Sequence, residues 1–241
     1  MKLATVQIER RFCGPPDSGN GGYVVGLLGR FAPQPVNVRL LIPPPLEAPL
    51  EVHATDAESL ALMHGDRVVA TATPATVELD AGTAPTADAA RAASERYAGL
   101  RAHPFPGCFV CGPGRGPGDG LRIFAGAVAD SEPPRVAAPW RPHTSLGGTR
   151  GHVRPEFLSA ALDCPGYFAV ADGSRPMLLG SMMLSIDGTV SIDEPCVVAA
   201  WSLGGSGRKW RAATALYGAD GACVARAVST WIELRAPPPG S

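Results

Sequence analysis

Residues 2–10 alternate between apolar and polar side chains, with Leu3, Val6 and Ile8 apolar, and this period of two predicts a strand. A loop dense in turn residues, 13–22, leads into an apolar run at 23–31 that predicts a short helix capped by Asn20 or Ser18. Extended segments are predicted at 36–42, 50–54, 59–63 and 67–79, with Gly65-Asp66 as a hairpin turn. Residues 80–102 lose this rhythm: Ala, Thr, Asp and Arg dominate, and the weakly amphipathic 88–100 reads as a connecting helix or linker. A Gly/Pro-rich run, 103–120, completes the connector.

The second half begins with strands predicted at 121–128 and 135–140. A helix is then predicted over 154–168, where Pro155 sits at the first helical position, Glu156 lies in the first turn, and Phe157, Ala160, Ala161 and Leu162 recur at helical spacing. Further strands are expected at 176–186, 196–203, 209–217 and 223–234, the last two joined by a turn at 218–221. The halves share one order: a strand, a short apolar helix entered from a loop, then about four extended segments. Residues 38–42 and 50–52 parallel 182–186 and 197–201, and 65–72 parallels 220–227, which favours a duplicated α+β unit of roughly 110 residues. The implied division is 1–80, a connector at 81–120, and 121–235.

At the end of the apolar face of 154–168 stands Asp163. A carboxylate there must be hydrogen-bonded, paired or placed in a cleft, since burying it bare is too costly. It is the strongest single candidate for a catalytic group, against the plain alternative of a solvated helix-end Asp.

Composition narrows the function classes. The chain is 45% apolar and 18% charged, and its net charge of −1 supplies no field to recruit nucleic acid or a membrane surface. The opening residues read as a strand rather than a secretory leader, and no apolar stretch reaches the roughly 20 residues a spanning helix needs. Six cysteines in 241 residues do not make a disulfide framework, and Cys13, Cys164, Cys196 and Cys223 stand alone in sequence, so reduced thiols in the cytoplasm are expected.

Asn20-Gly21-Gly22-Tyr23 opening the first helix, Ala161-Leu162-Asp163 in the second, and the final hairpin at 219–227 resemble the hotdog-fold thioesterase superfamily, in particular the double-hotdog, acyl-CoA thioesterase-like proteins. The resemblance covers nearly all of 1–235. It implies an α+β tandem (double) hotdog: in each half an antiparallel sheet wraps a central helix, the two units pack sheet to sheet, and an acyl-CoA or acyl-carrier-protein thioester lies between them. Asp163 matches the family's helix carboxylate, base or nucleophile towards the thioester carbonyl. The amides of Gly21 and Gly22 match the helix N-terminus that polarises that carbonyl, with Asn20 and Tyr23 at the substrate. Gly29 falls where the first helix would carry its own Asp, so one site per chain is implied. Some relatives place a glutamine in the last strand to orient water; here Ser229 or Thr230 takes that place. No His neighbours Asp163 in sequence, which disfavours hydratase chemistry. The implied activity is thioester hydrolysis without a cofactor, the alternative being a non-hydrolytic acyl-thioester binder. A homo-oligomer is compatible with this fold and not required by it.

Two other clusters carry chemistry. His103, Cys108 and Cys111 present a Cys-x-x-Cys pair with a histidine, and His143 or His152 would be needed to complete a zinc site. The simpler expectation is no metal: a Pro- and Gly-locked connector burying two small thiols. Arg208, Lys209 and Trp210 form a basic hairpin suited to the phosphates and adenine of CoA, the alternative being a solvated strand end.

Overall fold

The computed structural model of the chain describes residues 1–148, 151–171, 173 and 175–235. The first half runs β1 (Lys2–Gln7), α1 (Gly21–Gly29), β2 (Val36–Leu40), β3 (Pro49–Ala54), β4 (Leu60–His64) and β5 (Arg67–Pro74). After the connector, with α2 (Ala87–Ser94), come β6 (Gly126–Ala127), β7 (Arg135–Trp140), α3 (Pro155–Ala161), α4 (Cys164–Val170), β8 (Met177–Ile186), β9 (Cys196–Ser206), β10 (Lys209–Tyr217) and β11 (Cys223–Glu233). No helix among the described residues is long and apolar enough to cross a membrane.

The strands form one 11-stranded antiparallel sheet in the order β1-β3-β4-β5-β2-β8-β11-β10-β9-β7-β6. The run β1-β3-β4-β5-β2 is repeated from the other edge as β7-β9-β10-β11-β8, and the two runs meet where β2 pairs with β8, Val38 opposite Met182. The halves therefore join edge to edge by backbone hydrogen bonds, where the family resemblance implies sheets packed face to face.

Alternation in the strands sends Val36, Val38, Leu50, Val52, Met182 and Leu184 to one side, where they meet α1, α3 and α4 in the main core. Small residues bring α1 and α3 together: a Cβ on Gly26 would lie 2.5 Å from the Cα of Glu156, and Ser159 Oγ donates to the Gly22 carbonyl at 2.7 Å. On the other side of the second-half sheet, Ala137, Ala199, Ala213 and Ala215 are covered by Ala90 and Ala93 of α2. The linker-like segment is thus a packed layer, and the alanine-rich β10 is buried on both faces over its last six residues.

The single helix expected over 154–168 is two. Pro165 has no N–H to give the Ala161 carbonyl, so the helical ladder stops there. Asp163 takes φ −76° and ψ −83° between α3 and α4. The strand expected at 121–128 shrinks to β6, because Leu121 and Ile123 give their amides to Phe109 and Val110 of the connector, at 2.8 and 2.9 Å, rather than to a neighbouring strand.

Candidate active site

The break between α3 and α4 delivers Asp163 to the N-terminus of α1, with only 2% of its surface exposed. Its Oδ2 accepts from Asn20 Nδ2 at 2.8 Å and from the Gly22 amide at 2.9 Å. Asn20 also accepts the Tyr23 amide at 2.9 Å on its own Oδ1, so one side chain caps α1 and holds the carboxylate. Asp163 Oδ1 is buried and has no hydrogen-bond partner among the described residues. Burial pushes the carboxyl up to about 7; the Gly22 amide opposes this, the neighbouring Cys108 thiol adds to it, and Asn20 opposes it.

Asp163 lies on the wall of a cavity of about 550 Å³, within the range of small-molecule sites. Leu40, Ile42, Met177, Leu179, Trp231 and Ile232 give it an apolar lining drawn from β2 and the bend after it, β8 and β11, on both sides of the seam. Gly21 also faces it, and a Cβ at Gly21 would come within 2.9 Å of the Leu179 side chain. The Gly21 amide has no acceptor among the described residues, as expected of the first N–H of a helix.

Three thiols share this wall. The Sγ atoms of Cys108, Cys111 and Cys164 lie within 4.8 Å of one another, all buried, with Cys108 and Cys164 at 3.7 Å. His103 Nε2 approaches Cys111 Sγ at 3.2 Å, while its Nδ1 accepts the Phe105 amide at 2.9 Å. Asn20 Nδ2 lies 3.9 Å from Cys108 Sγ. Hydrogen bonds from Cys111 and Cys164 hold the Cys108 thiol well below its ordinary range, whereas burial raises Cys111.

The structure thus groups Asp163, Asn20, Gly21 and Gly22, and it corrects several roles. The Gly22 amide is taken by Asp163, so it is not available to a substrate oxygen. Tyr23 stacks on Phe12 at 4.5 Å in the core and is absent from the cavity lining. Ser229 Oγ donates to the Ala212 carbonyl at 3.3 Å and accepts Trp231 Nε1 at 3.0 Å, and the cavity meets Trp231 and Ile232 rather than Ser229 or Thr230. Arg208 Nη1 donates to the Glu233 carbonyl at 3.1 Å and Trp210 lies under Arg175, which puts this hairpin beside Ile232 and Leu234 of the cavity wall but outside it. Lys209 is exposed at the start of β10. Cys164, isolated in sequence, joins the Cys-x-x-Cys pair, whereas His143 caps the turn at Thr144–Leu146 and His152 bridges to Ser191. The one advance signal for Cys164 was its position immediately after Asp163.

No family model matches the chain, and no curated protein matches it in sequence. Solved structures do match. The tesB protein of Mycobacterium avium subsp. paratuberculosis superposes with a TM-score of 0.64 at 14% identity, over 97% of this chain and 92% of that one. A protein described as a thioesterase II from Thermobifida fusca gives 0.61 at 16% identity, over 96% and 92%. A hotdog-fold protein of unknown function from Alicyclobacillus acidocaldarius gives 0.57 at 12% identity, over 99% and 97%. The chain has the hotdog fold, and proteins described as thioesterases share it along nearly its whole length.

Proposed function

We propose that this chain is a tandem hotdog hydrolase of acyl thioesters carried by CoA or an acyl-carrier protein, with one active site at the seam between its halves. The observation that carries the reading is the Asp163 carboxylate, fixed through Oδ2 by Asn20 and Gly22 and left with a free, buried Oδ1 on the wall of an apolar cavity. In the reaction, the acyl chain occupies the apolar lining and the thioester carbonyl accepts the Gly21 amide at the positive end of α1. Oδ1 takes a proton from water as the oxygen attacks the carbonyl carbon. The tetrahedral oxyanion collapses, the C–S bond breaks, and the thiolate leaves with the proton held by Asp163. Arg208 and Lys209, on the hairpin adjoining the cavity wall, suit the phosphates of CoA. With no disulfide among six cysteines, the reducing cytoplasm is the compartment that suits the chain.

Release of free thiol from short, aromatic and long acyl-CoAs tests this in wild type and Asp163→Asn. The Asn carbonyl keeps both hydrogen bonds but cannot take a proton, so turnover is expected to fall at least a hundredfold while acyl-CoA affinity stays within a few fold. Saturable binding with no turnover of any thioester would instead make the chain an acyl-thioester binding protein.

A further inference from the structure

The thiol cluster on the cavity wall has a geometry of its own. A zinc ion with thiolates at about 2.3 Å sets its tetrahedral sulfur–sulfur edges at about 3.8 Å. Cys108 and Cys164 already stand 3.7 Å apart, and Cys111 lies within 4.8 Å of both. Thus three sulfurs from two distant segments lie near three corners of one tetrahedron, one edge already at its length. A disulfide would join two of these sulfurs and strand the third, so a divalent, thiophilic ion is the partner that uses all three.

The surroundings point the same way. Because His103 Nδ1 accepts the Phe105 amide, the neutral ring carries its proton on Nε2, and that N–H is directed at Cys111 Sγ at 3.2 Å. Asn20 Nδ2 likewise faces Cys108 Sγ at 3.9 Å. N–H donors aimed at sulfur are the outer layer that orients and stabilises metal-bound thiolates.

We propose that Cys108, Cys111 and Cys164 bind one zinc ion as thiolates, with His103 and Asn20 as hydrogen-bond donors to the sulfurs and a water from the cavity as fourth ligand. Binding releases to solvent whatever protons the three sulfurs still carry and leaves zinc in its divalent state. The ion ties the connector to the first residue of α4, next to Asp163, and so fixes the break on which the carboxylate sits. This assignment is independent of whether the cavity hydrolyses thioesters.

The test uses the full chain, purified under reducing conditions without chelator, and its readout is metal content rather than turnover. About one equivalent of zinc is expected in wild type, and less than a tenth of that in Cys108→Ser and Cys164→Ser, with Cys196→Ser and Cys223→Ser unchanged. His103→Gln should retain the equivalent but lose it to a competing chelator 10–100-fold more readily, as for an outer-layer donor. Exchange of wild type with Co²⁺ gives a readout that needs no variant to fold: tetrahedral d–d bands and a thiolate charge-transfer band should saturate at one equivalent. Reduced wild type that neither carries zinc nor develops these bands would overturn the proposal. So would zinc retained in Cys164→Ser, or a disulfide within the trio in freshly purified protein.

Discussion

Asn20 serves two partners, and its roles can be separated. Its Nδ2 holds Asp163 Oδ2 at 2.8 Å, and its Oδ1 holds the Tyr23 amide at 2.9 Å. Asn20→Ala removes both. A hydrogen bond to a charged group contributes about 1.5–3 kcal/mol, so kcat is expected to fall roughly 10–100-fold as the carboxylate loses its orientation. The lost cap costs about 1 kcal/mol of stability. Asn20→Ser restores a good helix cap on a side chain too short and too differently armed to hold Asp163, so it should recover the melting temperature and remain slow. Recovery of both stability and rate in Asn20→Ser would show that Asn20 acts only as a cap. Asp163 itself was legible in the sequence because an acidic residue at the end of an apolar helical face has to be explained. The diversion of the Gly22 amide to Asp163 was not, since it depends on an approach of residues 141 positions apart.

At the scale of elements, contact between α1 and α3 positions the site, and glycine permits it. A Cβ at Gly26 would fall 2.5 Å from the Glu156 Cα and 2.7 Å from the Ser159 Cβ, and backbone cannot yield as a flexible side-chain tip can. Gly26→Ala must therefore separate the helices, with an overpacking cost of about 1–3 kcal/mol and a lower midpoint in urea. Hydrolysis should decline as well, because Gly22 lies on α1 and Asp163 is held just beyond the end of α3, the two elements forced apart. A variant as stable as wild type would mean that the helices are not held this closely. Helix and strand identities were readable because their apolar periods are strong, as in β2, β5 and β8. Boundaries failed where a proline broke the helical ladder and where tertiary partners replaced local ones. Pro165 cut a continuous apolar pattern into α3 and α4, and the apolar alternation of Leu121, Ile123 and Ala125 faces the core while its amides bond to the connector. Cys164 joins Cys108 across 56 residues, a juxtaposition that no spacing in the sequence encodes.

For the molecule as a whole, the decisive feature is continuity across the seam. β2 and β8 share backbone hydrogen bonds, α1 packs on α3, and the cavity draws its walls from both halves. Opening either half would expose the apolar faces of the other, so the two should unfold together despite a length that admits two domains. The tryptophans make this measurable: all four lie in the second half, and with Trp231 of the seam cavity replaced by Phe, the fluorescence of Trp140, Trp201 and Trp210 reports that half alone. Leu62, fully buried on β4 of the first half, is far from them in sheet order, with β5, β2, β8 and β11 between it and Trp210 on β10. Leu62→Ala leaves a cavity costing about 2–5 kcal/mol. If the sheet is one cooperative unit, that loss lowers the urea midpoint seen by tryptophan fluorescence as much as the midpoint seen by far-ultraviolet circular dichroism. If the halves are thermodynamically separate, the circular dichroism transition splits and the fluorescence midpoint stays at its wild-type value. The coupled outcome would also mean that a ligand seated at the seam stabilises both halves at once, since it can bind only while they remain joined.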